Sequence, residues 1–138
     1  MPHILIVEDE PTMSWALAEG LTEDGFTTDT FRSAEDAWTW LQNGRSDLVI
    51  SDLQLPGMSG LDLAKRLQKG PHAQPVIIVT AYGTPQVLAE MRRAGVSDCF
   101  PKPFPLEMLR RSVRRALDQV NAPAPAQGRR KVANGGMQ

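Results

Sequence analysis

The sequence has little that could cross-link the chain or carry it across a membrane. Its single cysteine, Cys99, cannot form an internal disulfide or a structural zinc site. The first apolar run, Ile4–Val7, is too short for a signal peptide or a membrane-spanning helix, and no basic stretch precedes it. We therefore expect a soluble protein of the cytoplasm with no membrane contact.

The chain also lacks a strong net charge. It has 15 basic and 16 acidic residues in 138, a formal charge of −1, which argues against a strongly basic nucleic-acid binder. Direct binding to nucleic acid is therefore not expected. The charges are nevertheless segregated along the chain: residues 1–62 contain 12 acids and 2 bases, whereas residues 63–138 contain 4 acids and 13 bases.

The length and the apolar content of 41% fit one globular domain. We assign residues 1–120 to this domain. Residues 121–128 are rich in proline and alanine, and residues 129–138 have no apolar periodicity. The segment 121–138 is therefore predicted to be a linker followed by a disordered basic tail.

Short apolar or β-branched segments alternate with amphipathic helical patterns along the domain. The predicted strands are 3–7, 26–31, 48–52, 76–80 and 98–101. The predicted helices begin at Pro11, after a Ser33 N-cap, at Leu61, at Pro85 and at Pro105; the third ends at Lys69 and the fourth at Ala94. This alternation predicts an α/β domain with a parallel sheet covered on both faces.

Polar side chains follow four of the five predicted strands. In an open parallel sheet, ligands bind at the carboxyl ends of the strands. The residues expected at this edge are Glu8, Asp9 and Glu10 after the first strand, Asp52 in the third, Thr80 in the fourth and Lys102 after the fifth.

Three of these acids would lie within a few ångströms of one another. Glu8, Asp9 and Asp52 would repel each other, and a hard divalent cation such as Mg²⁺ relieves that repulsion through oxygen ligands. Lys102 as a cation and Thr80 as a hydrogen-bond donor suit a phosphoryl group. The strand ends thus predict an Mg²⁺-dependent phosphoryl site with Asp52 as the nucleophile.

Four segments around these residues together resemble a known family. The chain is similar over about residues 3–120 to receiver domains of two-component response regulators. The resemblance rests on Ile4–Glu10, Ser51–Gly60, Val79–Gly83 and Pro101–Phe104. The last two segments resemble receivers of the nitrogen-regulator type. The resemblance implies a flavodoxin-like (βα)5 doubly wound fold with strand order 2-1-3-4-5.

The same resemblance implies a role for each acidic residue. Asp52 would accept a phosphoryl group from a sensor histidine kinase or a histidine phosphotransfer protein. Asp9, Asp52 and the backbone carbonyl of Gln54 would bind Mg²⁺, and Glu8 would help through water. The protein would then be a phosphoprotein of a phosphorelay and not a turnover enzyme, either alone or as the receiver part of a longer transcriptional regulator.

The resemblance also implies how the phosphoryl group is read. Lys102 and the Thr80 hydroxyl would contact it, and the Lys102–Pro103 bond is often cis in the family. The surface from Pro85 to Gln119 would change shape and bind a downstream protein or a second copy of the chain. This is a shift between two populated states.

One position departs from the family pattern. Such receivers usually carry an aromatic residue three positions before the site lysine, where this sequence has Cys99. Phe100 should point to the opposite side of its strand. Tyr82 is the nearest other candidate for an aromatic switch residue.

Other interpretations of the sequence remain open. Asp52 could simply cap a turn. A haloacid-dehalogenase-like phosphatase also uses an aspartate and Mg²⁺, but it needs a second Asp where this chain has Gln54. An interaction domain that has lost phosphorylation is the third alternative. The arginine pairs of the last helix are most simply solvated, and His3 and His72 are expected at the surface.

Overall fold

The computed structural model describes residues 1–71 and 73–121. Within these, five strands alternate with five helices. The strands β1–β5 are His3–Val7, Thr27–Phe31, Leu48–Asp52, Val76–Thr80 and Asp98–Pro101. The helices α1–α5 are Pro11–Glu23, Ala34–Leu41, Gly60–Lys69, Pro85–Arg93 and Leu106–Asn121. The predictions for His72 and for the tail lie outside the described residues.

All five strands are parallel and form one sheet in the order β2-β1-β3-β4-β5. The predicted doubly wound flavodoxin-like fold is confirmed. Every predicted element is present, and the boundaries that differ do so by one residue; α5, for example, begins at Leu106 and not at Pro105. Helix α3 begins at Gly60 and not at Leu61, α4 ends at Arg93 and not at Ala94, and β2 begins at Thr27.

The sheet separates two apolar cores. Alternate residues of the central strands point to opposite faces, so Leu5 and Val49 pack with α2 and α3 while Ile4 and Ile50 pack with α1 and α5. Strands β1, β3 and β4 are buried almost throughout, as both-sided coverage requires. Strand β2 lies at the edge and is mostly exposed.

A polar side chain caps the N-terminus of each of the helices α1 to α4. Ser33 and Thr84 cap α2 and α4 through their side-chain oxygens, and Ser59 forms a capping box with Asp62 at α3. Glu10 caps α1, because its carboxylate accepts a hydrogen bond from the Met13 amide at 2.7 Å. These caps set the turns in which the polar residues lie.

Candidate functional site

The predicted acidic residues converge at the carboxyl edge of the sheet. Strands β1 and β3 are neighbours, so Glu8 and Asp9, which follow β1, lie beside Asp52 at the end of β3. One carboxylate oxygen from each of the three lies within 4.8 Å of the others. Glu8 is 2% exposed and Asp52 is 8% exposed. Buried carboxylates at this separation need a compensating positive charge.

Lys102 supplies part of that charge. Its Nζ donates to Glu8 Oε1 and to Asp52 Oδ2, at 3.0 Å in each case. Lys102 follows the edge strand β5, and its amide donates to the Thr80 carbonyl of the intervening strand β4 at 2.8 Å. Burial alone would lower the pKa of Lys102, but its hydrogen bonds with Asp52 and Glu8 outweigh burial and raise that pKa.

The pKa of Glu8 is raised although Lys102 is its partner. Burial raises the pKa of its carboxyl above the ordinary value, and the charge of Asp52 adds to the effect, while the Lys102 hydrogen bond and the Glu10 amide oppose it. The Glu10 amide donates to Glu8 Oε2 at 3.1 Å, so the turn after β1 fixes this side chain. A divalent cation would relieve the excess negative charge.

Asp52 is held by the start of α3 as well as by Lys102. A Cβ atom on Gly60 would lie 2.3 Å from the Asp52 carbonyl oxygen, so only glycine allows this close approach. The Gly60 amide donates to Leu53 O at 2.9 Å. The Gln54 amide is 3.3 Å from Asp52 Oδ1. Gln54 therefore lies in the turn beside the carboxylate.

Thr80 lies at the end of β4 between Asp52 and Lys102 in the strand order, and it is 1% exposed. Its Oγ1 accepts a hydrogen bond from the Tyr82 amide at 3.0 Å, which leaves the hydroxyl proton to donate elsewhere. The Tyr82 side chain is 64% exposed. The hydrogen bond between these two residues thus joins the Thr80 hydroxyl to the Tyr82 backbone amide and does not use the Tyr82 ring.

Cys99, at the position that usually carries an aromatic residue, and its neighbour Phe100 point to opposite sides of the sheet, as expected. Cys99 is half-buried and packs on the α2–α3 side of the sheet, whereas Phe100 packs on the α1–α5 side against Phe104. Burial raises the pKa of the Cys99 thiol. The Lys102–Pro103 bond is cis, as the resemblance implied.

Two sequence predictions need correction. Arg110 is not simply solvated, because its guanidinium forms a two-pronged pair with Asp24, whose side chain is 4% exposed. Arg114 joins the same carboxylate at 3.1 Å. His3 is more enclosed than expected, with Nε2 at 2.9 Å from Asp29 Oδ2 and Nδ1 at 2.6 Å from Thr27 Oγ1. Spacing along the chain gives no signal for these long-range pairs.

Comparison with known proteins gives the family. Residues 4–114 match the response regulator receiver domain family. The chain belongs to this family. It is 35% identical over 123 residues to the transcriptional regulatory protein TcrA of Mycobacterium tuberculosis, covering 89% of this chain and 49% of TcrA. It is 33% identical to the DNA-binding transcriptional regulator NtrC of Klebsiella pneumoniae, covering 81% of this chain and 24% of NtrC.

Solved structures agree with this assignment. The signal receiver domain of a signal transduction histidine kinase from Syntrophus aciditrophicus has a TM-score of 0.82 and 32% identity, covering 92% of this chain and 98% of that one. The receiver therefore spans half or less of TcrA and NtrC but nearly all of an isolated receiver domain. NtrC matches no better than TcrA, so the nitrogen-regulator subtype remains a prediction.

Receivers of this family bind Mg²⁺ at an acidic site, and this chain has an acidic cluster at Glu8, Asp9 and Asp52. The ligand chemistry fits, since all three offer carboxylate oxygens and Mg²⁺ prefers oxygen ligands. In the part of the chain that the structure describes, no helix has the length and apolar character to span a bilayer.

Proposed function

We propose that this receiver accepts a phosphoryl group on Asp52 and relays it as a change in its α4–β5–α5 surface. The observation that carries the proposal is the contact of Lys102 Nζ with Asp52 Oδ2 and Glu8 Oε1, with Asp9 beside them. A nucleophilic carboxylate, a fixed cation and further oxygen ligands are the groups that phosphoryl transfer requires. The expected donor is a sensor histidine kinase or a histidine phosphotransfer protein in the cytoplasm.

The chemical step follows from the position of Asp52. A carboxylate oxygen attacks the phosphorus of phosphohistidine, the P–N bond breaks, and the electron pair leaves with the imidazole. Asp9, Asp52 and the Gln54 carbonyl would hold Mg²⁺, and Glu8 would assist through water. When bound, Mg²⁺ supplies positive charge that stabilises the phosphoryl oxygens. Lys102 already faces Asp52 and needs little rearrangement to do the same.

The response to phosphorylation begins at Thr80. An aspartyl phosphate carries close to two negative charges where the carboxylate carried one, and its phosphoryl oxygens attract the Lys102 ammonium and the Thr80 hydroxyl. The Thr80 hydroxyl oxygen already accepts a hydrogen bond from the Tyr82 amide, so its proton is available for donation to the phosphoryl group. Movement there displaces the loop that leads into α4, and the population shifts toward a second arrangement of the output surface.

The output surface runs from Pro85 to Gln119 and contains exposed apolar side chains. Leu88 and Met108 are 38% and 51% exposed. A phosphorylation-dependent second copy of this chain or a downstream protein is the partner we propose for it. The protein is a signalling switch and not a turnover enzyme, because Gln54 stands where a phosphatase of the alternative class needs its acid.

Phosphorylation with acetyl phosphate tests the proposal directly. We expect the wild-type protein to gain one phosphate, measured by intact-protein mass spectrometry, only when Mg²⁺ is present. Asp52→Asn should gain none, whereas Asp36→Asn, a matched change at an exposed acid of α2, should behave as wild type. A phosphate on the Asp52→Asn protein, or no phosphate on wild type with Mg²⁺, would refute the assignment.

A further inference from the structure

The loop between β3 and α3, residues 53–59, joins the proposed nucleophile to the next helix and contains Gln54. Leu55 and Met58 pack their side chains into the core on the α2–α3 side of the sheet. The loop is also tied to α2 by a hydrogen bond, in which the Met58 amide donates to Glu35 Oε2 at 2.8 Å. Glu35 is exposed and does not belong to the acidic cluster of Glu8, Asp9 and Asp52.

The backbone of the β3–α3 loop lies close to the Glu35 carboxylate at Gly57 and Met58. Gly57 has φ +81°, a left-handed conformation that favours glycine. A Cβ atom on Gly57 would lie 2.2 Å from Glu35 Oε2. The hydrogen bond from Met58 lowers the pKa of Glu35, so the charged carboxylate is the form that the loop binds. Backbone conformation and side-chain charge therefore favour the same contact.

We propose that Glu35 is a positioning residue for the metal site, holding the β3–α3 loop in a conformation from which the Gln54 carbonyl would bind Mg²⁺. This inference rests on the proposed function. Groups that orient metal ligands from outside the ligand set commonly change metal affinity 10- to 100-fold when they are removed. Glu35 acts at the far end of a short turn, so we expect an effect at the lower end of that range.

The link between Glu35 and Gln54 passes through the loop itself. Gln54 is exposed, and its amide is 3.3 Å from Asp52 Oδ1, which is long for a hydrogen bond. That weak bond alone fixes the residue poorly. Buried Leu55 next to it and the Glu35–Met58 bond beyond it limit the positions that the turn can adopt. Releasing Met58 should therefore loosen Gln54 as well.

Calorimetric titration of the unphosphorylated protein with Mg²⁺ is the first measurement. Glu35→Ala should bind Mg²⁺ about tenfold more weakly than wild type. Glu35→Gln should bind within about threefold of wild type, because its amide oxygen can still accept from Met58. Asp36→Ala should not change the affinity, although it removes the same charge from the same helical turn.

Amide hydrogen exchange without metal is the second measurement. In Glu35→Ala the Gln54 amide should exchange faster than in wild type and in Asp36→Ala, at unchanged urea stability. Unchanged Mg²⁺ affinity in Glu35→Ala overturns the proposal, and so does a Glu35→Gln protein as weak as Glu35→Ala. A wild-type protein that binds no Mg²⁺ refutes the proposed function instead, and Gln54 exchange then still decides whether Glu35 holds the loop.

Discussion

Replacing Gly60 by alanine should destabilise the protein, although alanine favours helices. Gly60 is the first residue of α3 and is buried against the end of β3. An added Cβ would lie 2.3 Å from the Asp52 carbonyl oxygen and 2.8 Å from Ser51 Oγ. Ordinary contacts begin near 3.4 Å, so the helix and strand must separate by about 1 Å. The nearer blocking atom belongs to the backbone, so it cannot rotate away as the end of a flexible side chain could.

The expected cost is about 2–3 kcal/mol of unfolding free energy. Overpacking usually costs about 1–3 kcal/mol, and a buried backbone atom places this site at the upper end. The helix preference of alanine over glycine recovers up to about 1 kcal/mol. Separating α3 from β3 also loosens the packing of Leu61 and Ala64 under the helix, which adds to the cost.

Urea unfolding followed by tryptophan fluorescence measures this difference, and an unchanged m-value would show that the two-state comparison holds. Gly83→Ala is the matched control. Gly83 lies in the exposed loop before α4, and an added Cβ would have its nearest contact at 3.9 Å. We expect Gly83→Ala to lie within about 0.5 kcal/mol of wild type. Equal stability of the two variants would refute the close approach of α3 to Asp52.

Three further predictions concern the opposite core, the salt bridges and the switch. Leu109→Ala should cost about 2–5 kcal/mol in urea unfolding, while its exposed neighbour Met108→Ala should cost less than about 0.5 kcal/mol. Asp24→Asn should lower the free energy of unfolding at neutral pH, and its difference from wild type should shrink as the pH falls below about 3.9. The reason is that the Arg110 hydrogen bond lowers the pKa of Asp24, so protonation of Asp24 removes the stabilisation. A difference in unfolding free energy that does not change with pH would contradict this. Thr80→Val should still accept phosphate on Asp52 but lose the amide chemical-shift changes of α4 and β5 on beryllofluoride binding, and Thr80→Ser should retain them.

Patterns that repeat along the chain were sufficient to predict the α/β class and the parallel sheet. The apolar runs of β1, β3 and β4 identify strands buried on both faces, and a parallel sheet brings their carboxyl ends together. The convergence of Asp9, Asp52 and Lys102 follows from that one geometric rule. Strand order needed the family resemblance, because alternation alone does not say which strand lies at the edge.

The pairs that cross between distant segments could not be predicted. Asp24 and Arg110 are separated by 86 positions, and Glu35 and Met58 by 23. Neither pair lies at a strand end, and charged residues such as Asp24, Arg110 and Glu35 are individually typical of a solvated surface. The hydrogen bond by which Glu10 caps α1 was hard to predict for a different reason: glutamate is not among the favoured N-cap residues, yet its carboxylate accepts from the Met13 amide.

The segregation of charge along the sequence has a structural explanation in these pairs. Among the residues that the structure describes, acids of the first 62 positions form salt bridges with bases of the remainder at two places, Glu8 and Asp52 with Lys102 and Asp24 with Arg110. The first place joins β1 and β3 to the segment after β5, and the second joins the end of α1 to α5. The basic half is therefore not simply a free output surface. Part of its charge pairs with acids of the candidate site and of the α1 terminus, whereas Arg115 of α5 is exposed.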